Sequence, residues 1–179
     1  AVCAAHPDAA IVWFDAHADL NTPATTSSGY LGGMALSGPA GLWRTGFGGP
    51  ISLGNVILVG SRDLDPFEAQ LIAAGEVAHV SCQHENIPGE LLRLIRGRPV
   101  YVHFDCDVLE PGLIPTDFQV PGGLTFAQLT RTFEALATLR VIGIEVAEFQ
   151  ARWAPDGESA SATELLRAMK PLLEAARDA

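Results

Sequence analysis

Four short apolar runs along the chain predict buried strands. Each run is apolar throughout rather than alternating, and most are rich in β-branched or aromatic residues. That pattern is typical of parallel strands covered on both faces. The predicted strands are Ala10–Phe14, Asn55–Val59, Val100–Phe104 and Arg140–Val146.

Helical patterns lie between and after these runs. Asp65–Glu68 has the residue types of a helix start, with Asp at the N-cap, Pro in the first position and Glu in the third, and Gly75 is a plausible stop. Thr125–Gln128 is a capping box. From about Ser161 the apolar spacing predicts an amphipathic helix, which we expect Pro171 to interrupt.

Strands that alternate with helices predict an α/β fold with a mostly parallel sheet. The glycine-rich stretch Gly29–Pro50 is expected to be a long loop, with some helical content around Met34–Leu42. No repeat or linker divides the chain, so residues 1–179 are predicted to form a single domain.

The amino-acid composition argues against several classes of protein and partner. A chain with 48% hydrophobic and 18% charged residues is globular rather than disordered. A net charge of -10 argues against nucleic acid or an anionic membrane as a partner. Three cysteines without C-x-x-C spacing favour a reducing, cytoplasmic location. No apolar run approaches the ~20 residues needed to span a bilayer.

Metal-ligating side chains follow the first strand. In an extended backbone Asp15, His17 and Asp19 would project from one face, because residues two apart point the same way. By itself this motif is also consistent with an Asp-rich turn that contains a hydrogen-bonded histidine.

A second strand ends in the same way, at Asp105-Cys106-Asp107. Ligands gather beyond the carboxyl ends of parallel strands, and four carboxylates there would repel one another without a cation. Two divalent ions would supply the missing charge. Oxygen-rich sites with imidazole suit manganese better than magnesium, iron or zinc. Because paired metal ions acidify a bridging water, the pattern predicts binuclear, metal-assisted hydrolysis.

The motifs "DAHADLNTP" and "FDCDVLEP", with "GGLT" downstream, resemble those of the ureohydrolases, which include arginase and agmatinase. The resemblance runs from end to end of the chain. It implies a three-layer α/β/α domain, two Mn²⁺ ions, and hydrolysis of a guanidino compound such as arginine to release urea. It implies metal ligands at Asp15, His17, Asp19, Asp105 and Asp107, with Asp15 and Asp105 bridging the ions.

Three further stretches, "LNTPATTSSGY", "GSRDLDPFE" and "GIEVAEF", resemble the arginase branch. They imply substrate contacts at Asn21, Thr26, Ser28, Asp65 and Glu148. Asp65 would lie near a substrate ammonium, and Glu148 would bind the forked donors of the guanidinium. Glu148 and Asp107 are the implied catalytic residues. Asp65 is equally explained as a helix N-cap, and the loop residues as turn formers.

The chain departs from the family pattern in several places. The family has one more histidine ligand, in an upstream Gly-Gly-Asp-His stretch, and His6 does not match it. We therefore expect an amino-terminally truncated domain that lacks its first strands. Gly32 stands where the arginase loop usually has a histidine assigned to proton transfer. Glu110 and Glu145 replace more usual aspartates, with little expected effect.

Other interpretations remain open at this stage. The protein could be an agmatinase or another guanidino or formimino hydrolase, a one-zinc deacetylase of similar fold, or a catalytically impaired homologue or fragment. His79, His84 and His103 are predicted to be structural rather than ligands. A homo-oligomer is expected when the domain is complete.

Overall fold

A parallel sheet forms the centre of the molecule. The computed structural model describes residues 2–46 and 51–177, apart from the side chain of Cys3. Within these residues the sheet has five strands in the order β3-β2-β1-β4-β5, and every pair is parallel. The strands are β1 (Ala10–Phe14), β2 (Val56–Val59), β3 (Ala78–Val80), β4 (Val100–Asp105) and β5 (Val141–Ala147).

All four predicted strands are confirmed, with bounds that shift by one residue at most. The edge strand β3 was not predicted. It is only three residues long and half-buried, and His79 at its centre breaks any apolar run. The His79 ring lies against the sheet instead, with Nε2 2.9 Å from the carbonyl oxygen of Ser61.

The helices are α1 (Val2–Ala5), α2 (Pro66–Ala73), α3 (Ile87–Ile95), α4 (Phe126–Leu136) and α5 (Thr163–Arg177). Both predicted capping boxes are present. The Glu68 carboxylate accepts the N–H of Asp65 at 3.0 Å, and the Gln128 side chain accepts the N–H of Thr125 at 3.0 Å. Helix α3 was not predicted, although Asn86 caps it by accepting the N–H of Gly89.

Helix α5 corrects the expectation of an interruption, because it continues through Pro171. A proline in a helix costs about 3 kcal/mol, mainly through a lost hydrogen bond and a steric clash. Met169 and Leu172, on either side of it, are both buried in the core. Each buried side chain of this size contributes about 1.5–3 kcal/mol, which offsets the cost.

The stretch Gly29–Pro50 is largely irregular, as expected. Its regular helical content is one short 3₁₀ turn at Gly32–Met34, rather than a helix over Met34–Leu42. Polar and glycine-rich sequence offers too few apolar residues at helical spacing to stabilise a longer helix. Residues 47–50 of the predicted loop lie outside the described residues.

Two apolar layers cover the sheet, which confirms the three-layer α/β/α architecture. On one face, α3, α4 and α5 pack against inward residues such as Phe14 and Phe104, and Phe133 of α4 meets both rings at 5.3 and 5.7 Å. On the other face, α2 and the loop after β1 cover Ile11, Trp13 and neighbouring residues. Among the described residues, no helix has the length and apolar character to cross a membrane.

Arg62, just after β2, links backbone segments that lie next to the acidic motifs. Its Nη2 donates to the carbonyl oxygens of Asp107 at 3.0 Å and Val120 at 2.7 Å, and its Nη1 donates to that of Gly60 at 2.9 Å. A guanidinium has enough donors in a planar fork to bridge three backbone segments at once.

We expect Arg62→Met to lower the free energy of unfolding by about 2–4 kcal/mol, because several charge-assisted hydrogen bonds to partly buried carbonyls are lost together. Arg93→Met is the matched control. Among the described residues Arg93 pairs with Glu90 alone, on the exposed face of α3, and an exposed ion pair contributes little to stability. Urea denaturation of both variants measures the difference. Equal effects would contradict the bracing role of Arg62.

Candidate metal centre

The carboxyl ends of β1 and β4 lie side by side in the middle of the sheet. The two strands pair in register from Ala10 opposite Val100 to Phe14 opposite Phe104, so the next residues, Asp15 and Asp105, are neighbours. Asp15 is only 2% exposed, Asp105 7% and Asp107 3%. Burying three carboxylates together is unfavourable unless positive charge or hydrogen bonds compensate.

The acidic motifs are not extended, which corrects the backbone geometry assumed from the sequence. β1 ends at Phe14, and Asp19 has a left-handed backbone with φ of 53°. β4 gives way after Asp105 to a 3₁₀ turn, Cys106–Val108. The carboxylates themselves stabilise these turns, because they accept backbone N–H groups that the strands no longer pair.

These hydrogen bonds orient the carboxylates. Asp15 Oδ1 accepts the N–H of His17 at 2.7 Å, and Asp105 Oδ1 accepts the N–H of Asp107 at 2.9 Å. Asp107 Oδ1 accepts the N–H of Ala16 at 3.0 Å and so links the two motifs. Each acid thus keeps a second oxygen for another partner.

Two groups of side chains could each hold a cation, and they share Asp15. In the first, His17 Nδ1 lies 3.2 Å from Asp15 Oδ1 and 3.1 Å from Asp107 Oδ2. The second consists of Asp15, His103 and Asp105, and the ligand atoms within each group lie within 4.8 Å of one another. Two cation sites joined by a shared carboxylate are the arrangement that a binuclear centre needs.

Asp19 belongs to neither of these groups among the described residues. It lines the adjoining cleft together with His17. Burial and the charge of Asp15 raise its pKa to about 9, and the same two causes raise the pKa of Asp105 to about 8. The protein alone therefore cannot keep all these carboxylates charged at neutral pH.

His17 relieves part of this repulsion. Hydrogen bonds to Asp107 and Asp15 raise the pKa of its imidazole to about 11. Burial alone would raise the pKa of Asp107, but the hydrogen bonds from His17 and from the N–H of Ala16 hold it below its ordinary value. A proton on His17 stands in here for positive charge that divalent cations would bring, since an imidazole must lose that proton to bind a metal.

His103 lies at the centre although it was assigned a structural role from the sequence. Its ring stacks on Trp13 with centroids 3.5 Å apart, and its Nδ1 is 2.7 Å from Glu145 Oε1. The sequence did contain a signal for this residue. His103, Asp105 and Asp107 are spaced two apart, as Trp13, Asp15 and His17 are in the first motif.

A cleft of about 210 Å³ opens beside the acidic centre. Four of the five predicted substrate contacts line it, and Glu148 does not. Residues that the sequence did not single out also line it, including Tyr30, Asp63 and Phe118. The full lining consists of His17, Asp19, Asn21, Thr26, Ser28, Tyr30, Gly33, Asp63, Asp65, Glu68 and Phe118.

Helix α2 fixes one wall of this cleft. The buried Glu68 accepts the N–H of Leu20 at 2.9 Å as well as that of Asp65, so the segment after Asp19 is held against the start of the helix. Asn21 Nδ2 donates to Asp65 Oδ2 at 2.7 Å. Asp65 therefore lines the cleft with one carboxylate oxygen bound to Asn21.

Glu148 follows β5 in a left-handed conformation with φ of 57° and is half-buried. Burial first, and then the charges of Asp117, Asp107 and Asp15, raise the pKa of its carboxyl. Gly32 opens the 3₁₀ turn of the long loop, and a Cβ there would overlap the Tyr30 ring.

Comparison with known proteins agrees with this geometry. Residues 1–170 match the Arginase family. The chain belongs to the arginase family. It is 42% identical over 176 residues to N(omega)-hydroxy-L-arginine amidinohydrolase of Streptomyces lavendulae, covering 96% of this chain and 62% of that protein. It is 32% identical over 166 residues to human arginase-1, covering 80% of this chain and 51% of that protein.

The fold of this arginase-family chain also matches a solved structure, that of arginase from Bacillus cereus. The TM-score is 0.85 at 26% identity, over 96% of this chain and 64% of that one. The chain thus spans between half and two thirds of the length of these three relatives.

Without metal, the stability of this chain should fall as pH rises from 6 to 8. The folded pKa values of Asp19 and Asp105, about 9 and about 8, exceed the unfolded value of 3.8. The protons that these two carboxyls retain stabilise the folded state. Their contribution to the free energy of unfolding is fully present below the unfolded pKa and is lost as the pH rises through the folded pKa. The slope is about 1.4 kcal/mol per pH unit for each proton that the folded state retains.

Asp19→Asn removes one of these retained protons. The free energy of unfolding should therefore fall less steeply with pH in the variant than in the wild type, and the two slopes should differ by about 1.4 kcal/mol per pH unit. Urea denaturation of EDTA-treated protein between pH 6 and 8 measures both slopes. Asp8→Asn, at an exposed position near the start of β1, is the control and should leave the slope unchanged. A wild-type stability that rises over this range would contradict the assignment.

Proposed function

We propose that the protein is an amidinohydrolase that uses two Mn²⁺ ions to hydrolyse L-arginine or a close guanidino relative such as N-hydroxy-L-arginine. Water adds to the guanidino carbon, the bond from that carbon to the alkyl-bearing nitrogen breaks, and the amine leaves with a proton as urea or hydroxyurea forms. The observation that carries the proposal is the pair of potential cation groups that share Asp15 beside a polar cleft.

The donor set fits two divalent cations of the manganese type. Four carboxylates with imidazole are the ligands that suit Mn²⁺, and the raised carboxyl pKa values show a local shortage of positive charge. Asp15 and Asp105 would bridge the ions, with Asp19 on one ion and His17 and Asp107 on the other. When bound, the ions would acidify a water for hydrolysis.

Two hydroxyls on the cleft wall suit a substrate carboxylate. Thr26 Oγ1 accepts the N–H of Gly29 at 3.0 Å, and Ser28 Oγ accepts that of Tyr30 at 3.2 Å. An oxygen fixed in this way can direct its own proton to an anionic group. Asp65, which lines the same cleft, would take the α-ammonium of the same substrate.

Glu148 would orient the guanidinium. A carboxylate offers two acceptors that match the forked donors of that group. The neighbouring acids disfavour the charged form of Glu148, and an incoming cationic substrate would reverse that effect.

An agmatinase activity is the alternative within the family. The wall formed by Thr26 and Ser28 favours an amino-acid substrate, because agmatine has no carboxylate for these hydroxyls. The 42% identity to an N-hydroxyarginine-cleaving relative supports the same choice. Gly32 can transfer no proton, so a reduced rate remains part of the proposal.

The direct test is turnover by the intact protein loaded with Mn²⁺. We expect urea from L-arginine or hydroxyurea from N-hydroxy-L-arginine, and a loss of about 10³-fold or more in kcat/KM for Asp105→Asn, because a bridging charge is removed. Asp8→Asn should retain wild-type activity. Two bound metal ions without turnover of any guanidino compound would refute the proposal, and one ion per site would favour the deacetylase-like alternative.

A second test addresses the substrate carboxylate. The double variant Thr26→Val with Ser28→Ala should raise KM for L-arginine about tenfold or more, because two hydrogen bonds to an anion are lost. The inhibition constant of agmatine should stay within about twofold, since agmatine lacks that carboxylate. Ser27→Ala is the matched control, because Ser27 lies between the two residues and does not line the cleft. Equal losses for both ligands would contradict this assignment.

A further inference from the structure

One buried nitrogen lacks a partner. Among the side chains of residues 2–46 and 51–177, His103 Nε2 is the buried polar atom without a hydrogen bond, in a residue that is 7% exposed. A buried polar atom left unpaired destabilises the folded state, because it has lost its hydrogen bonds to water. The ring cannot easily turn away, because it stacks on Trp13 at an interplanar angle of 9°.

The partner of the other ring nitrogen decides the tautomer. Nδ1 lies 2.7 Å from Glu145 Oε1, and a carboxylate only accepts hydrogen bonds, so Nδ1 carries the proton. In the neutral ring Nε2 then presents a lone pair. A carboxylate that holds the far side of a histidine in this way is the usual support of a metal-binding imidazole.

The Nε2 lone pair faces carboxylate oxygens, which are themselves hydrogen-bond acceptors. Nε2 is 4.0 Å from Asp15 Oδ2, too far for a hydrogen bond, and that oxygen already accepts the Trp13 indole N–H at 3.1 Å. Asp105 is the third member of the group. Ligand atoms of one cation with bonds of about 2.1 Å lie up to about 4.2 Å apart, so the 4.0 Å gap has room for a cation.

We propose that His103 Nε2 is a ligand of one of the two cations, the one that His17 and Asp107 do not bind, with Glu145 as the residue that positions its ring. The proposal rests on the proposed function for the presence of two cations. It gives this cation a nitrogen donor from β4, just as His17 gives one to the second cation. The role extends the ligand set inferred from the sequence, in which His103 had no part.

The test measures metal binding rather than turnover. In His103→Asn the shorter amide can still donate to Glu145, but no atom remains at the position of Nε2. We expect one of the two Mn²⁺ ions bound by the intact protein to lose about 10–100-fold in affinity, while the other changes by less than about threefold. Glu145→Gln should weaken the same ion by a smaller factor. His84→Asn, at an exposed position, is the control.

Pulsed electron paramagnetic resonance of bound Mn²⁺ separates a ligand from a packing residue. Nitrogen modulation should persist in His17→Asn and become weaker by the contribution of one imidazole when His103 is replaced as well, since an upstream histidine ligand of the intact protein would contribute equally to both variants. This readout does not require His103→Asn alone to fold. Unchanged Mn²⁺ affinities in a folded His103→Asn protein, or equal nitrogen modulation in His17→Asn and in the double variant, would overturn the assignment.

The two proposals fail separately. If the Mn²⁺ titration shows the expected loss but no guanidino compound is hydrolysed, the function is wrong and the ligand assignment stands. If turnover is normal and His103→Asn binds both ions as the wild type does, the ligand assignment is wrong and the function stands.

Discussion

The burial of several carboxylates at the carboxyl ends of two adjacent strands is the constraint on which the rest of the structure depends. Asp15, Asp105 and Asp107 are nearly inaccessible. Burial, and after it the repulsion between the acids, raises the pKa of Asp105 and of nearby Asp19 well above the ordinary range. Like charges at this distance in a poorly solvated site cannot all ionise without a compensating cation. The centre is therefore a stable part of the fold only in combination with positive charge.

The surrounding structure holds these acids in place against that repulsion. Backbone N–H groups in the turns after β1 and β4 donate to the carboxylates, and the Arg62 guanidinium binds the carbonyl oxygen of Asp107 from outside. The strands beneath are almost entirely buried and are paired on both sides, so the positions of Asp15 and Asp105 are set by the sheet register. Glu68 fixes the cleft wall from α2 in the same manner. Local hydrogen bonds thus convert an unfavourable charge cluster into a preorganised binding site.

Membership of the arginase family and the cleft beside the centre together account for most features of the sequence. The chain spans only part of the length of its relatives, so the activity is proposed for the intact protein. The hydroxyls of Thr26 and Ser28 and the carboxylate of Asp65 line the same cleft. His103 and Glu145 add a further feature, because Glu145 holds one ring nitrogen of His103 while the other lies 4.0 Å from Asp15 Oδ2.

The continuous apolar runs were enough to predict four strands, and residue chemistry was enough to predict two capping boxes and the acidic motifs. Elements whose stability comes mainly from packing were harder to predict from the sequence. β3 is short and polar at His79, and α3 begins at an Asn86 cap followed by proline and glycine. Pro171 predicted a break that the buried residues around it override. In each case contacts distant in sequence outweigh a local preference.

For the site, the sequence alone determined which ionisable residues follow each strand, because composition and spacing are local properties. It could not determine that the backbone turns after Phe14, or that Trp13 pairs with His103 across the two strands. Those facts depend on strand order and register, which are set by packing between residues about 90 apart. Only the tertiary structure therefore decided that His103 Nε2 faces the shared carboxylates, and it did so because parallel pairing brings equivalent positions of β1 and β4 together.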